Sequence, residues 1–277
     1  MGRVEKRMYR RARGQAAMRR GLVIGTAAMI ALGLVIRHGG RAALTAQHMM
    51  APTATPVTDA YDETVVTREI TLPEVSWYAI QTGIYSTRAA ADEKRDTYAR
   101  RGAPGYVNQD GEKWRVYIAC YGAKEDAAAV RERLRVNQEV ETFLHTWVCP
   151  EMTLRLTGMV GQLDVVEAGL SWISSAAAAL RDNAAQLDGG ECTLQEAQAA
   201  VEAINSQVRM WRETAEDRFV KPYPELVAME ISLAESWDGK FAALCEAEGA
   251  TAFSAQMKLQ AMAIFDESCA LRQALME

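Results

Sequence analysis

The spacing of apolar residues changes character several times along the chain. Residues 21–36, GLVIGTAAMIALGLVI, are apolar without interruption, whereas residues 38–74 show no sustained period. Between 77 and 149 short alternating runs are interleaved with amphipathic ones. From 150 to 277 the period is that of helix almost throughout. Each regime predicts a different kind of structure.

The middle regime predicts strand, helix, strand, strand, helix, strand. WYAIQTGIY is the first strand, residues 87–101 a helix, GYVNQ a short strand and KWRVYIACY a third. Residues 124–135 form the second helix and VETFLHTWV the last strand. Asp110-Gly111 is a two-residue hairpin signal between the second and third strands. Shifting this region on itself by 36 positions superposes Ile80 on Val116, Tyr85 on Tyr121, Arg88 on Lys124, Ala91 on Ala127, Arg95 on Arg131 and Tyr98 on Leu134. Two similar strand-helix halves predict a pseudo-symmetric βαββαβ sandwich with both helices on one face.

Strand parity then sorts the residues. Ile80, Thr82, Val116 and Ile118 point under the helices, and Trp114 shares their parity. Ala79, Gln81, Gly83, Arg115, Tyr117 and Ala119 point to the other face, which is expected to be open. Gln81 and Tyr117 occupy equivalent places in the repeat, at the centre of the sheet.

Past residue 150 a long helix is expected over residues 152–187, closed by Gly189-Gly190. A capping box at Thr193 to Glu196 opens a second helix, whose seam runs through Leu194, Ala197, Val201, Ile204, Val208 and Trp211. KPYPE ends it, because proline cannot continue a helix. Leu226, Met229, Leu233, Trp237, Phe241 and Leu244 mark a third helix, and residues 253–275 a fourth. Short joints between apolar-faced helices predict an antiparallel bundle. Trp172, Trp211 and Trp237 read as core, with a partner groove as the other use of such large side chains.

Charge clarifies the N-terminal part. Residues 1–41 hold ten Arg or Lys against the single acid Glu5, while the chain as a whole stands at -5. The body is therefore strongly acidic. Sixteen helical residues rise about 24 Å, slightly short of a hydrocarbon core of about 30 Å, and Arg20 and Arg37 could close the gap by snorkelling. A transmembrane anchor over 21–37 is preferred to a cleaved signal peptide, since basic residues follow the run and no small-residue cleavage site adjoins it. A buried core helix fits less well with an all-round apolar run behind a basic arm. The positive-inside rule then puts a basic tail, residues 1–20, in the cytoplasm and everything beyond the span outside. Residues 38–74, rich in Ala, Thr, Pro and Gly, read as a flexible tether.

Catalytic chemistry finds little support. His38, His48 and His145 are scattered, and Cys120, Cys149, Cys192, Cys245 and Cys269 form no CxxC pair. At most two disulfides could form, and spacing does not say which. Acids such as Asp164, Glu167, Glu191 and Glu196 read as solvated helix faces rather than a glycan-cleaving pair. With no phosphate-binding glycine loop, neither an enzyme nor a cofactor or metal is expected.

The segment aromatic-x-x-Gln-x-Gly-x-aromatic-Ser at residues 78–86, followed by a helix, Gly105-Tyr106-Val107, Trp114-Arg115-Val116, Tyr121-Gly122 and a second Ala-rich helix, resembles the SPOR domain family. SPOR domains bind bacterial peptidoglycan, and many belong to single-pass envelope proteins that seek peptide-stripped glycan at division septa. The resemblance covers residues 75–149. It implies a ferredoxin-like βαββαβ domain there, and with the periodicity of the rest the expected chain is α+β, this domain being followed by an all-α antiparallel bundle over 150–277 and preceded by the transmembrane helix. The glycan-binding residues it implies are Gln81, Gly83, Tyr85, Ser86, Trp114, Arg115 and Tyr117. Amide, guanidinium and aromatic groups suit sugar hydroxyls, N-acetyl amides and apolar sugar faces. The expected function is non-catalytic binding of peptidoglycan in the cell envelope, linked to division or sporulation. The alternative is a membrane-anchored protein-protein scaffold that works through the bundle, with the sheet domain as a spacer. Stacking of single-stranded RNA on the open sheet is disfavoured, because the body is acidic and its expected place is outside the cytoplasm.

Overall fold

The computed structural model describes residues 64–276. The basic tail, the apolar run and the tether up to residue 63 lie outside the described residues. What is described is an α+β body: a β-sheet domain followed by helices.

The sheet domain consists of β2 (Val75–Tyr85), α1 (Arg88–Ala99), β3 (Tyr106–Asp110), β4 (Lys113–Tyr121), α2 (Lys124–Gln138) and β5 (Phe143–Cys149). Its strands lie in the order β3-β4-β2-β5, with each neighbouring pair antiparallel. Gly111 at φ +59° makes the two-residue turn that joins β3 to β4. Thr87 caps α1 by accepting from the Ala90 amide. Ile80, Tyr98, Ile118, Val130 and Leu134 fill the space between the sheet and the two helices.

Two further strands depart from the sequence expectation. β1 (Val65–Leu72) falls in the stretch read as tether, and β6 (Met152–Met159) in the stretch read as the start of a helix. They pair antiparallel along their full lengths, from Val65 opposite Met159 to Leu72 opposite Met152. The physical reason is alternation: Met152, Leu154 and Leu156 turn inward while Thr153, Arg155 and Thr157 turn out. Thr67 and Thr71 share hydroxyl hydrogen bonds with Thr157 and Thr153 across the exposed face of the ribbon, at 2.8 and 3.0 Å.

The helices are α3 (Val160–Gly189), α4 (Leu194–Arg218), α5 (Glu225–Cys245) and α6 (Gly249–Met276). The capping box at Thr193 and Glu196 is present, and Ala197, Val201, Ile204, Val208 and Trp211 are buried along the expected seam. All three bundle tryptophans are core residues: Trp211 donates to the Val165 carbonyl at 2.9 Å, Trp237 donates to Asn205 at 3.1 Å, and Trp172 packs against Trp211. Gly169 allows this packing, because a Cβ there would stand 2.7 Å from both Glu230 and Trp211. Among the described residues, α3 is the one helix long and apolar enough to cross a membrane, and half of that stretch is buried within the body.

The largest departure concerns the sheet face opposite α1 and α2. It was expected to be open, for want of sequence to cover it, but α6 lies on it. The Phe265 ring stacks on Trp77 at 4.1 Å and meets Trp147 edge-on at 5.4 Å. Asp266 accepts from the Tyr106 hydroxyl and the Asn108 amide at 2.8 and 2.9 Å. Arg272, itself buried, donates to the carbonyls of Pro73 and Pro150, the two points where the chain leaves the sheet for the β1-β6 ribbon. From the α3 side, Arg181 lies over Trp77 at 4.8 Å. One continuous hydrophobic core therefore runs from the sheet through the bundle. Burial of large aromatic surfaces is what favours this docking over an exposed sheet.

Candidate functional site

The face under α6 carries the residues with recognition chemistry, so its geometry decides what remains available. Gln81 and Tyr117 lie directly opposite one another on β2 and β4, as the repeat implied. Both are nevertheless covered, at 4% and 1% exposure. Tyr117 stacks between His145 at 5.5 Å and Trp147 at 5.4 Å. Burial pushes its hydroxyl pKa well above the ordinary tyrosine value. The Gln81 amide oxygen accepts from Arg115 at 2.8 Å. Asp110 holds the other edge of the same guanidinium at 2.6 Å. Gln81 and Asp110 thus orient Arg115 while its side chain keeps access to solvent.

Three other expected residues lie on the opposite side of the sheet. The ladder between β2 and β4 shifts register twice around Gln81, so that Gly83 pairs with Val116 and Tyr85 with Trp114. Each shift adds an unpaired residue, and one extra residue reverses the parity of everything after it. Tyr85 consequently faces α1, as Trp114 does by the parity it shares with Val116, and the Arg88 guanidinium sits 4.9 Å above the Trp114 ring. The Tyr85 ring folds back over Gly83, leaving no room for a Cβ there. Ser86 is exposed at the strand end, next to the cap of α1. Of the seven expected residues, the structure therefore groups Gln81, Arg115 and Tyr117 on the sheet face turned towards α6.

That face also holds residues the sequence reading did not single out. Phe143 lies opposite Gln81 and is 60% exposed, and Ile84 lies opposite Arg115 and is 51% exposed. His145 follows on the same side of β5, half-buried. Its pKa is lowered, first by burial and then by Arg115, so the ring is neutral near pH 7 and offers one donor and one acceptor. An open groove of about 400 Å³ runs beside it, lined by Asn108, Asp110, His145, Trp147, Asp266 and Gln273. Burial raises the Asp266 pKa against the opposing effect of its two hydrogen bonds. The signal for Phe143, His145 and Trp147 was present in the alternation of FLHTWVC, once the face of β5 was assigned.

Together the exposed end of the face offers two apolar platforms, a held guanidinium and a neutral imidazole beside a polar groove. Such a surface can stack on the apolar face of a sugar ring and hydrogen-bond to hydroxyls and amides at its rim.

Comparison with known proteins bears on the same segment. Residues 76–144 match the family model of the SPOR domain. The endolytic peptidoglycan transglycosylase RlpA of Escherichia coli (strain K12) is 28% identical over 70 residues, which make up 25% of this chain and 19% of that protein. RlpA of Escherichia coli O157:H7 matches to the same extent. The chain thus spans about a fifth of the length of these relatives. No solved structure matches.

Proposed function

Since residues 76–144 form a SPOR domain, we propose that the chain binds peptidoglycan glycan strands in the cell envelope without cleaving them, and that the strand seats on the end of the sheet face that α6 leaves uncovered. In this reading Arg115 donates to N-acetyl or hydroxyl oxygens, Phe143 and Ile84 lie against sugar faces, and His145 lines the adjoining groove. Gln81 acts through Arg115 by holding its guanidinium, and Tyr117 acts through His145 by stacking on it.

The observation that carries the proposal is the family match over the very domain whose face retains this mixed surface. The RlpA relatives, named for action on peptidoglycan, support the ligand class. Their transglycosylase activity is not carried over, because the match covers 19% of that protein. Glycan stripped of stem peptides suits a shallow surface of this kind, since the peptides would crowd the sheet. The apolar run at 21–36 would hold the body outside the membrane, within reach of the wall at sites of division or sporulation.

Retention of residues 64–277 on purified sacculi, before and after an amidase removes the stem peptides, tests the reading. Binding should rise with peptide removal and fall roughly tenfold for Arg115→Ala, the expected loss of one charge-assisted contact. No retention on either preparation would sink the proposal and favour a protein-protein role for the bundle.

A further inference from the structure

Five cysteines are spread over the sheet domain and the bundle, and none is in a disulfide. Two of them meet. Cys149 ends β5, Cys269 lies on α6, and both are buried in the shared core. Arg272, three residues beyond Cys269 on α6, donates to the carbonyl of Pro150, the residue after Cys149, so the two cysteines lie where α6 crosses the end of β5. Cys269 also lines the open groove, which gives a reagent a path to the pair. Cys120, Cys192 and Cys245 lie on β4, ahead of α4 and at the end of α5.

We propose that Cys149 and Cys269 form a redox modification site, which an external disulfide oxidises to a Cys149–Cys269 bond that fastens α6 to the sheet. The chemistry is ordinary thiol-disulfide exchange. One thiolate of the pair attacks a sulfur of the external disulfide, forming a mixed disulfide and expelling one thiolate, which takes up the released proton. The second cysteine, on losing its proton, displaces the remaining external sulfur in the same way. Two thiols are oxidised to one disulfide, and the external disulfide is reduced to two thiols. Cys149 is the thiol held nearer its thiolate form, its pKa lowered by Cys269 and by the nearby Arg272 guanidinium, while Cys269 is the one that reaches the groove.

The consequence is mechanical. Phe265, Asp266, Cys269 and Arg272 belong to one stretch of α6, so a bond at Cys269 ties down the same turns that cover Trp77, Tyr106 and Trp147. Reduced, the cover rests on packing and hydrogen bonds. Oxidised, it is covalent.

The experiment is to equilibrate residues 64–277 with oxidised glutathione, quench with acid, and map the linked peptides by mass spectrometry without reduction. A Cys149–Cys269 peptide pair is expected, with three thiols left to titrate and a melting temperature roughly 5–10 °C above that of the reduced protein. Cys149→Ser and Cys269→Ser should each abolish the rise. Glutathione adducts with no 149–269 link, a link between other cysteines, or five unchanged thiols would overturn the proposal. Sacculi binding by the fully reduced protein reads the glycan proposal separately, so failure of one is distinguishable from failure of the other.

Discussion

At one end of the sheet face opposite α1 and α2, Trp77, Tyr117 and Trp147 lie beneath α6, while at the other Ile84 and Phe143 stand more than half exposed. The same strands and the same pleat supply both ends. What separates them is a helix that begins about a hundred residues after the sheet domain closes and lies over only part of it. The covered end has become hydrophobic core, where aromatic side chains contribute stability. The uncovered end keeps an oriented arginine and apolar platforms in solvent, the groups to which the proposed glycan contact is assigned. Residue type alone does not distinguish these roles, since Tyr117 and Phe143 would both suit a sugar.

Substitutions can break the comparison from either side. The largest effect is expected at the covered end: Phe265→Ala removes a ring packed on both Trp77 and Trp147 and should cost about 3–5 kcal/mol, read as a drop of roughly 10 °C in thermal denaturation. A drop under about 2 °C would show that α6 does not hold the face.

Next comes Glu230, buried in the bundle with neither carboxylate oxygen hydrogen-bonded. Burial pushes its pKa up to about 9 from 4.5, so the folded protein keeps this proton where the unfolded chain loses it. The resulting stabilisation is complete below about pH 4.5 and fades as pH rises towards 9. Glu230→Gln should therefore stabilise the protein at pH 7, by on the order of 3 kcal/mol, and flatten the decline between pH 5 and 9. Parallel melting curves for the two proteins across that range would contradict a buried neutral carboxyl.

A smaller loss, about 1–3 kcal/mol, is expected for Asp266→Ala at the border between the two ends, because the Tyr106 hydroxyl and the Asn108 amide each lose their acceptor. Asp266→Asn should recover part of it. The smallest thermal effect belongs to the uncovered end. Phe143→Ala should change stability by under about 1 kcal/mol while weakening glycan retention several-fold, and an equal loss of fold and binding would place Phe143 in the core after all.

Local pattern made much of this legible. The strands and helices from Val75 to Cys149, the Asp110-Gly111 turn, the pairing of Gln81 with Tyr117 and the α4 capping box all follow from spacing and residue type. The β1-β6 ribbon was obscured because its two halves lie 80 residues or more apart, so neither presents a hairpin signal. Gly83 and Tyr85 could not be sorted from Gln81 by counting, since the register shifts around Gln81 have no sequence marker. The cover by α6 was hidden for a third reason. Phe265, Asp266 and Arg272 read as ordinary helix positions, and their partners on the sheet are fixed only by tertiary docking.

Amide hydrogen exchange of residues 64–277, with and without peptide-free glycan chains, tests the division of the face most directly. The account predicts added protection at residues 113–115 and 143–145, with the amides of α6 unchanged. Faster exchange along α6 on adding glycan, with new protection around Trp77 and Trp147, would contradict it, because the covered end would then be the binding site and the helix its displaced lid.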